Sequence, residues 1–332
     1  MPPAQLLRPL SARHLTPQAR TVSTAATDIA SRLTQKLARS TTVHRQKLDA
    51  NQLQKLCLTL GTPRLGDVDV SLRPPPDGSP VPPGYHLVYF TPLVPEESLG
   101  PDGSDATFNA PAPFTRRMWA GGNMSWSGDA LRVGDEVEER TRLLRATAKE
   151  GSKGDMVLVD VEKELVSCRG CSVVDRRAWI FRPGLSTPVM PVTSSLEDRV
   201  TVEEEIPQED QPDDRVPARS LSWSQTALFR FSALTFNAHK IHYDQDWCQK
   251  VEGHPSPVVH GPLTLLSMLD HWRDVHGSRK QLLSIDYRAL QPVYAGERYR
   301  VRTGSCEEVV AEKNGIVCMR AELQSQSRSS GA

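Results

Sequence analysis

Asn237 and His242 stand five positions apart in FNAHKIHYD (residues 236–244), and a third histidine, His260, precedes Gly261 in VVHGPL (residues 258–263). Imidazole is the side chain whose ordinary proton affinity lies nearest neutrality, which makes His242 the candidate for moving a proton. An amide cannot act as a base near neutral pH, but the Asn237 carbonyl oxygen could hold a water beside the imidazole, so that placement stands in for acid–base work. Gly261 opens an apolar stretch that reads as a helix. Its backbone N–H would lie at the positive end of the helix dipole, a natural donor to a developing oxyanion, and without a Cβ it would admit a substrate carbonyl closely. Against this, most loop histidines are simply hydrogen-bonded. His239, three residues before His242, suggests a metal pair but lacks a third ligand, so no metal site is expected. Asp244 is the one nearby carboxylate, able to stand in as a base, to orient His242 or merely to cap a turn. His260 reads mainly as the anchor of the helix start.

The elements that must hold these residues follow from periodicity. Gln46–Leu60 reads as a helix with Asp49 as N-cap and Leu53, Leu56 and Leu60 on one face. YHLVYFTP, beginning at Tyr85, is a short strand candidate, and RRMWAGGNMSW (residues 116–126) suggests close backbone approach at Gly121 and Gly122 followed by a strand. From Asp135 to Arg182 three long strand-like stretches are separated by turns, an antiparallel meander. In the second half, Ser222 or Ser224 could cap a short helix leading into the histidine loop. The stretch from Pro262 to His276 is apolar almost all round, as a helix wrapped by a sheet must be. Strands follow at LLSIDYRAL, RYRVRTGSCEEVV and GIVCMRAELQ. A buried helix wrapped by an antiparallel sheet, met twice, predicts an α+β double hot-dog.

Composition narrows the functional classes. The 332 residues are 38% hydrophobic and 24% charged, with 40 Lys plus Arg against 40 Asp plus Glu. A neutral chain offers no electrostatic case for nucleic acid, and no apolar run approaches the length needed to cross a bilayer. Six cysteines are too sparse for a disulfide scaffold, and the single CxxC, Cys168–Cys171, reads as a turn with reduced thiols. Residues 1–45 are basic, hydroxylated and acid-poor. Ile29, Leu33 and Leu37 fall on one helical face with Arg32, Lys36 and Arg39 opposite, the composition of a mitochondrial transit peptide and hence of a matrix location. Residues 191–217 hold nine acids and several prolines and read as a solvated linker. The domains expected are therefore 46–190 and 218–328.

FRFSALTFNAHKIHYD followed by VEGHPSPVVHGPL resembles the MaoC-like, or hydratase 2, branch of hot-dog enzymes, which add water to trans-2-enoyl thioesters or remove it from 3-hydroxyacyl thioesters. PPGYH, RRMWAGG and LRVGDEVEERT further resemble a two-hot-dog subgroup that includes mesaconyl- and itaconyl-CoA hydratases and fungal mitochondrial hydroxyacyl-thioester dehydratases of type 2. The resemblance spans roughly residues 46–325. It implies an Asp and a His flanking the reacting water; the His falls at His242, while the Asp position holds Asn237, a departure that the subgroup shares. It implies catalytic roles for His242, Asn237 and Gly261, with His260, Asp244, Trp119 and Arg117 as substrate-binding candidates, no metal and no cofactor. Trp247 is a further candidate for the acyl pocket. The first hot-dog contains nothing like NAHKIH, so it would keep the fold and widen the groove. The substrate would be an acyl-CoA or acyl-ACP. An arginine at the pocket end would favour a dicarboxylic acyl group and a long apolar tunnel a fatty one. A catalytically silent thioester-binding protein and a hot-dog thioesterase remain alternatives, and association of two chains through sheet packing stays open.

Overall fold

A computed structural model describes residues 22–127, 129–185, 200–205 and 216–328. Helix α1 (Thr24–Leu37) begins the described chain, followed by strand β1 (Thr41–Lys47) and helix α2 (Ala50–Leu60). The Asp49 carboxylate caps α2 by accepting the Gln52 N–H, and Leu53, Leu56 and Leu60 are buried, as the spacing predicted, together with Cys57; Gln46 and Lys47, expected at the helix start, instead belong to β1, where they pair with β5. A two-residue hairpin follows, β2 (Arg64–Leu65) with β3 (Val68–Asp69). Tyr85–Val88, expected as a strand, instead forms a buried turn of 3-10 helix entered through Gly84 at φ 88°. A Cβ at Gly84 would lie 2.6 Å from Leu269 Cδ1, so the turn depends on glycine for both its backbone and its packing.

The first half then supplies β4 (Arg116–Trp126), β5 (Glu136–Gly151), β6 (Gly154–Ser167) and β7 (Gly170–Arg182). The last three are the expected meander, with Cys168 in the turn between β6 and β7 and both CxxC thiols free. β8 (Thr201–Glu205) lies within the stretch read as a linker; it pairs with β9 (Ala218–Ser222) at one sheet edge, so that part of the acidic segment is strand rather than solvated chain. The second half continues with α3 (Gln225–Leu234), α4 (Gln245–Trp247), α5 (Gly261–His276), β10 (Lys280–Ala289), β11 (Arg298–Ser305), β12 (Glu308–Lys313) and β13 (Ile316–Ser327). The sequence reading took β11 and β12 as one strand; a turn at Cys306–Glu307 folds them into a hairpin.

Apart from the β2–β3 hairpin, the strands of the described residues form one antiparallel sheet of 11, ordered β1-β5-β6-β7-β4-β10-β13-β12-β11-β9-β8. The halves join where β4 pairs with β10, and here the two glycines matter: a Cβ at Gly121 would meet Tyr287 O at 2.3 Å, and one at Gly122 would meet Arg176 O at 2.1 Å. Both glycines lie inside β4, beside a register shift after Trp119. Ten consecutive residues of α5, Leu263–Trp272, are buried, in keeping with the apolar pattern. One core unites α2, the 3-10 turn, α3, α5 and strands from both halves.

The amino-terminal helix belongs to the fold. Ala26, Ile29, Ala30 and Leu33 of α1 bury against Val157, Val159, Val161, Trp179 and Phe181, and β1 pairs along β5 from Thr41 to Lys47. A leader reaching residue 45 would take both elements with it. Residues 1–21 lie outside the described residues.

Candidate active site

The chain around the two histidines is shaped by local rules. α3 ends at Thr235, and Phe236 takes a left-handed conformation at φ 47° to turn the backbone out of the helix. The Asn237 N–H then donates to Ser232 O at 2.8 Å, while Asn237 Oδ1 accepts the His239 N–H at 3.1 Å, closing a side-chain turn of the kind asparagine favours. A single 3-10 turn, Lys240–His242, presents the second imidazole.

His242 is fixed by the strand-like segment before α5. Its Nδ1 lies 2.7 Å from Val258 O. A carbonyl can only accept, so Nδ1 carries the proton and Nε2 keeps the lone pair. The Val258 N–H in turn donates to Ile241 O at 2.8 Å, zipping the two segments together. His260 stacks on His242 with ring centroids 3.6 Å apart and 16° between planes. His239 meets His242 edge-on at 5.4 Å and 84°. His260 is itself held by Ser232 Oγ at 2.9 Å. Burial pushes the pKa of His242 down to about 3, helped by the repulsion it would meet from a protonated His239, so the ring is neutral at physiological pH. His239 is likewise pushed down to about 3 by burial and by Arg117, and burial drives His260 well below its ordinary value.

Asn237, His242, His260, Gly261, Trp119 and Arg117 all line one cleft of about 1720 Å³. Gly261 is the first residue of α5, where backbone amides precede any intrahelical acceptor. The space beside its α-carbon is filled: a Cβ there would meet the Trp119 side chain at 3.0 Å. Glycine is thus needed for the indole, not to leave open room for a substrate carbonyl. Trp119 also packs edge-on to Trp179 and parallel to Tyr287, with centroids 6.1 and 6.2 Å away. Asp244 is not among the cleft residues; its Oδ1 accepts the Trp247 N–H at 2.9 Å, so it caps α4 and neither orients His242 nor replaces a base. Trp247 is likewise absent from the cleft wall, packing under Lys240 Nζ at 4.4 Å.

The first half contributes charge to the same cleft. Arg116 is neutralised by Glu252, Nε to Oε2 at 2.9 Å. Arg117 is not: Nη1 donates to Asp105 O at 3.0 Å and Asn109 Oδ1 at 3.2 Å, its guanidinium sits 4.4 Å above the Trp179 ring, and no carboxylate lies within ion-pair distance among the described residues. Burial pushes its pKa down to about 10. Lys163 paired with Glu139 at 2.9 Å, and Arg177 paired with Asp175, also face the cleft or its wall.

Sequence reading missed one carboxylate altogether. Asp102, in the loop Leu99–Asp105 of the first half, is buried and places Oδ2 3.3 Å from His239 Nε2. The loop is stitched to the histidine segment by Lys240 N–H to Asp102 O at 2.8 Å and Lys240 Nζ to Pro101 O at 2.9 Å. A Cβ at Gly103, φ 78°, would meet Ala238 O at 2.1 Å. Nothing local in GPDGSD distinguishes this loop from any other turn, because its partner lies in the other half of the chain.

Residues 84–295 match the family model of hydroxyacyl-thioester dehydratase type 2. The chain is 30% identical over 242 residues to mesaconyl-C(4)-CoA hydratase of Chloroflexus aurantiacus, covering 72% of this chain and 80% of that protein. It is 26% identical over 253 residues to the mitochondrial hydroxyacyl-thioester dehydratase type 2 of Schizosaccharomyces pombe, covering 66% of this chain and 76% of that one. Among solved structures it is similar to a MaoC-like dehydratase (TM-score 0.59, 13% identity, 90% of this chain and 100% of the other). It is also similar to HtdX of Mycobacterium tuberculosis (TM-score 0.56, 14% identity, 86% and 99%). At these identities the solved structures establish the hot-dog architecture alone.

Proposed function

The chain belongs to the hydroxyacyl-thioester dehydratase type 2 family, and from that premise we propose that it reversibly hydrates a short 2-enoyl thioester bearing a second carboxylate. His242 is the base and Asn237 sits beside the reacting water. Hydro-lyase chemistry on acyl thioesters follows from the family itself. The observation that carries the finer reading is the bond from His242 Nδ1 to Val258 O at 2.7 Å, which leaves Nε2 as the lone pair of a neutral ring in the cleft.

Water gives one proton to His242 Nε2 as its oxygen bonds to C3. The C2–C3 π electrons move onto the thioester oxygen, where the Gly261 N–H at the α5 terminus meets the negative charge. The imidazolium then returns that proton to C2, leaving the ring neutral and the 3-hydroxyacyl thioester formed; the reverse sequence is dehydration. Nδ1–H stays on Val258 O throughout, so the ring does not turn between steps. Asn237 Oδ1 accepts the His239 N–H, which fixes the amide plane and leaves its second lone pair for the water.

Arg117 supports a dicarboxylic acyl group. Its buried guanidinium makes no ion pair among the described residues, with Asp105 and Asp102 near it but not bonded through their carboxylates, which leaves it able to take a substrate carboxylate, and its charge lowers the proton affinity of both His239 and His242, so it acts close to the reacting atoms. The cleft wall carries Glu139, Lys163 and Arg177 beside Leu87, Phe90, Phe108, Ile180 and Phe231, so the preference for a dicarboxylic group rests on Arg117 and not on the wall. The relative in C. aurantiacus, named for mesaconyl-C(4)-CoA, accords with this. A mitochondrial address is part of the same proposal, supported by the basic, acid-poor leader and by the S. pombe relative named as mitochondrial.

A panel of mesaconyl-CoA, itaconyl-CoA, crotonyl-CoA and a long-chain trans-2-enoyl thioester on CoA and ACP tests the reading. Loss of conjugated enoyl absorbance, fastest with a dicarboxylic substrate, is the expected result. Thiol release without hydration would identify a thioesterase, and no reaction with any substrate would leave a silent thioester-binding protein.

A further inference from the structure

Resting on that reading, we infer that Arg182 and Lys153, beside the Arg116–Glu252 pair, receive a phosphate of the carrier that delivers the thioester. His242, Asn237 and Gly261 handle only the acyl end. CoA and an acyl carrier protein alike present that end on a pantetheine arm, whose far end is a phosphate ester. A cleft that admits the arm needs cations at a distance from the reacting atoms.

The sheet gathers those cations. Arg182, the last residue of β7, stands directly opposite Arg116 in β4, and paired residues of antiparallel neighbours share a face. Lys153 lies in the turn between β5 and β6, and a Cβ at Gly151 of that turn would be 3.6 Å from Arg182 Nη2. All three cations line the cleft. Arg116 already has its counter-charge, since Glu252 accepts from Nε through its carboxylate and from Nη2 through its backbone oxygen at 2.8 Å. Arg182 and Lys153 make no ion pair among the described residues, and Arg182 Nη1 is a buried atom without a hydrogen-bond partner there. A buried cationic N–H left unpaired is costly, and an anion relieves it. A planar guanidinium fork beside a flexible ammonium suits the oxygens of a phosphate. The site is continuous with the reacting centre. Val259, two residues before Gly261, donates its N–H to Val293 O at 2.8 Å, and the adjacent Tyr294 places Oη 3.2 Å from His254 Nδ1. Burial pushes His254 down to about 4, and the charges of Arg116 and Lys153 add to it, so both cations act on that ring.

Mesaconyl thioesters of CoA, of 4′-phosphopantetheine and of pantetheine carry one acyl group and differ in their phosphates. The parent enzyme should show a kcat/KM on the CoA ester at least about tenfold above that on the pantetheine ester, the factor a charge-assisted hydrogen bond supplies, with most of the difference in KM. Arg182→Gln combined with Lys153→Ala should shrink that preference to below about threefold. Lys153→Ala alone, in an exposed turn, should also reduce it and serves if Arg182→Gln does not fold. A preference already complete with the phosphopantetheine ester supports the phosphate that CoA and a carrier protein share. One that appears only with CoA supports its nucleotide phosphates. Equal kcat/KM on the CoA and pantetheine esters in the parent, or a preference that survives in both variants, would overturn the inference while leaving the role of His242 standing. Hydration of none of the three esters would remove the underlying reading and this inference with it.

Discussion

Gly261 and Trp119 are interlocked: a methyl group on the glycine would lie 3.0 Å from Cγ of the indole and 3.2 Å from its Cβ. The contact joins the start of the buried helix α5 to strand β4 of the other half, beside the amide proposed to receive the thioester oxygen. Gly261→Ala is expected to push the indole aside and shift the helix amide, lowering kcat about 10- to 100-fold, since displacements of this order are costly at a reacting centre. Steady-state kinetics beside a thermal melt would check this, the melt moving by only a few degrees.

Arg117 should act on substrate choice. A charged hydrogen-bonded pair contributes about 1.5–3 kcal/mol, or roughly 10- to 100-fold in kcat/KM. Arg117→Met should therefore lose about that factor with mesaconyl-CoA while crotonyl-CoA, which has no second carboxylate, changes by less than about threefold. Equal losses on both substrates would assign Arg117 to the wall rather than to recognition.

Acid should destabilise the fold in a window set by its buried imidazoles. His239 and His242 are pushed down to about 3 and His254 to about 4, with His260 lower still. In the unfolded chain each titrates near 6.5. Between those values the unfolded state binds protons that the native state refuses, so stability is complete above about pH 6.5 and declines as pH falls. Glu252 and Asp270, raised by burial, oppose this but are fewer. Denaturant midpoints should hold nearly level from pH 7.5 to about 6.5 and fall from there to pH 5, and kcat/KM should show no inflection near 6.5.

Truncation tests where the fold begins. Burying Ile29 and Leu33 is worth about 1.5–3 kcal/mol each, and β1 covers the edge of β5. A chain beginning at residue 22 should melt like the full chain, whereas one beginning at residue 46 should lose about 3–6 kcal/mol or fail to fold. Incubation with mitochondrial processing enzymes is expected to leave α1 in place.

Much of this architecture could be read from spacing alone. The Asp49 cap, the meander from β5 to β7 and the buried α5 all stand as predicted, and of the two serines offered as a cap for α3 it is Ser224 that serves. Each of those is a local pattern, in which neighbours a few residues apart share one face. What escaped was non-local or doubly determined. α1 is amphipathic in the manner of a transit peptide, and only the presence of Val157, Val159 and Phe181 reveals that its apolar face has a partner. Tyr85–Val88 has strand-forming residues, but Gly84 and the contact of Tyr85 Oη with Asp270 at 2.9 Å hold it as a turn. At the site the sequence marked out His242, Asn237 and Gly261, which do share a cleft; it put Asp244 among them through mere proximity in the chain, and it overlooked Asp102 because that carboxylate arrives from the opposite half.

The most direct measurement is enoyl-thioester hydration by His242→Ala, followed by the disappearance of enoyl absorbance with the melting temperature recorded alongside. Removing a positioned proton-transfer group costs about 100- to 10,000-fold, so a drop of that size with the fold intact is the predicted result. A variant that still hydrates within about tenfold of the parent rate would contradict the assignment of His242 as the base.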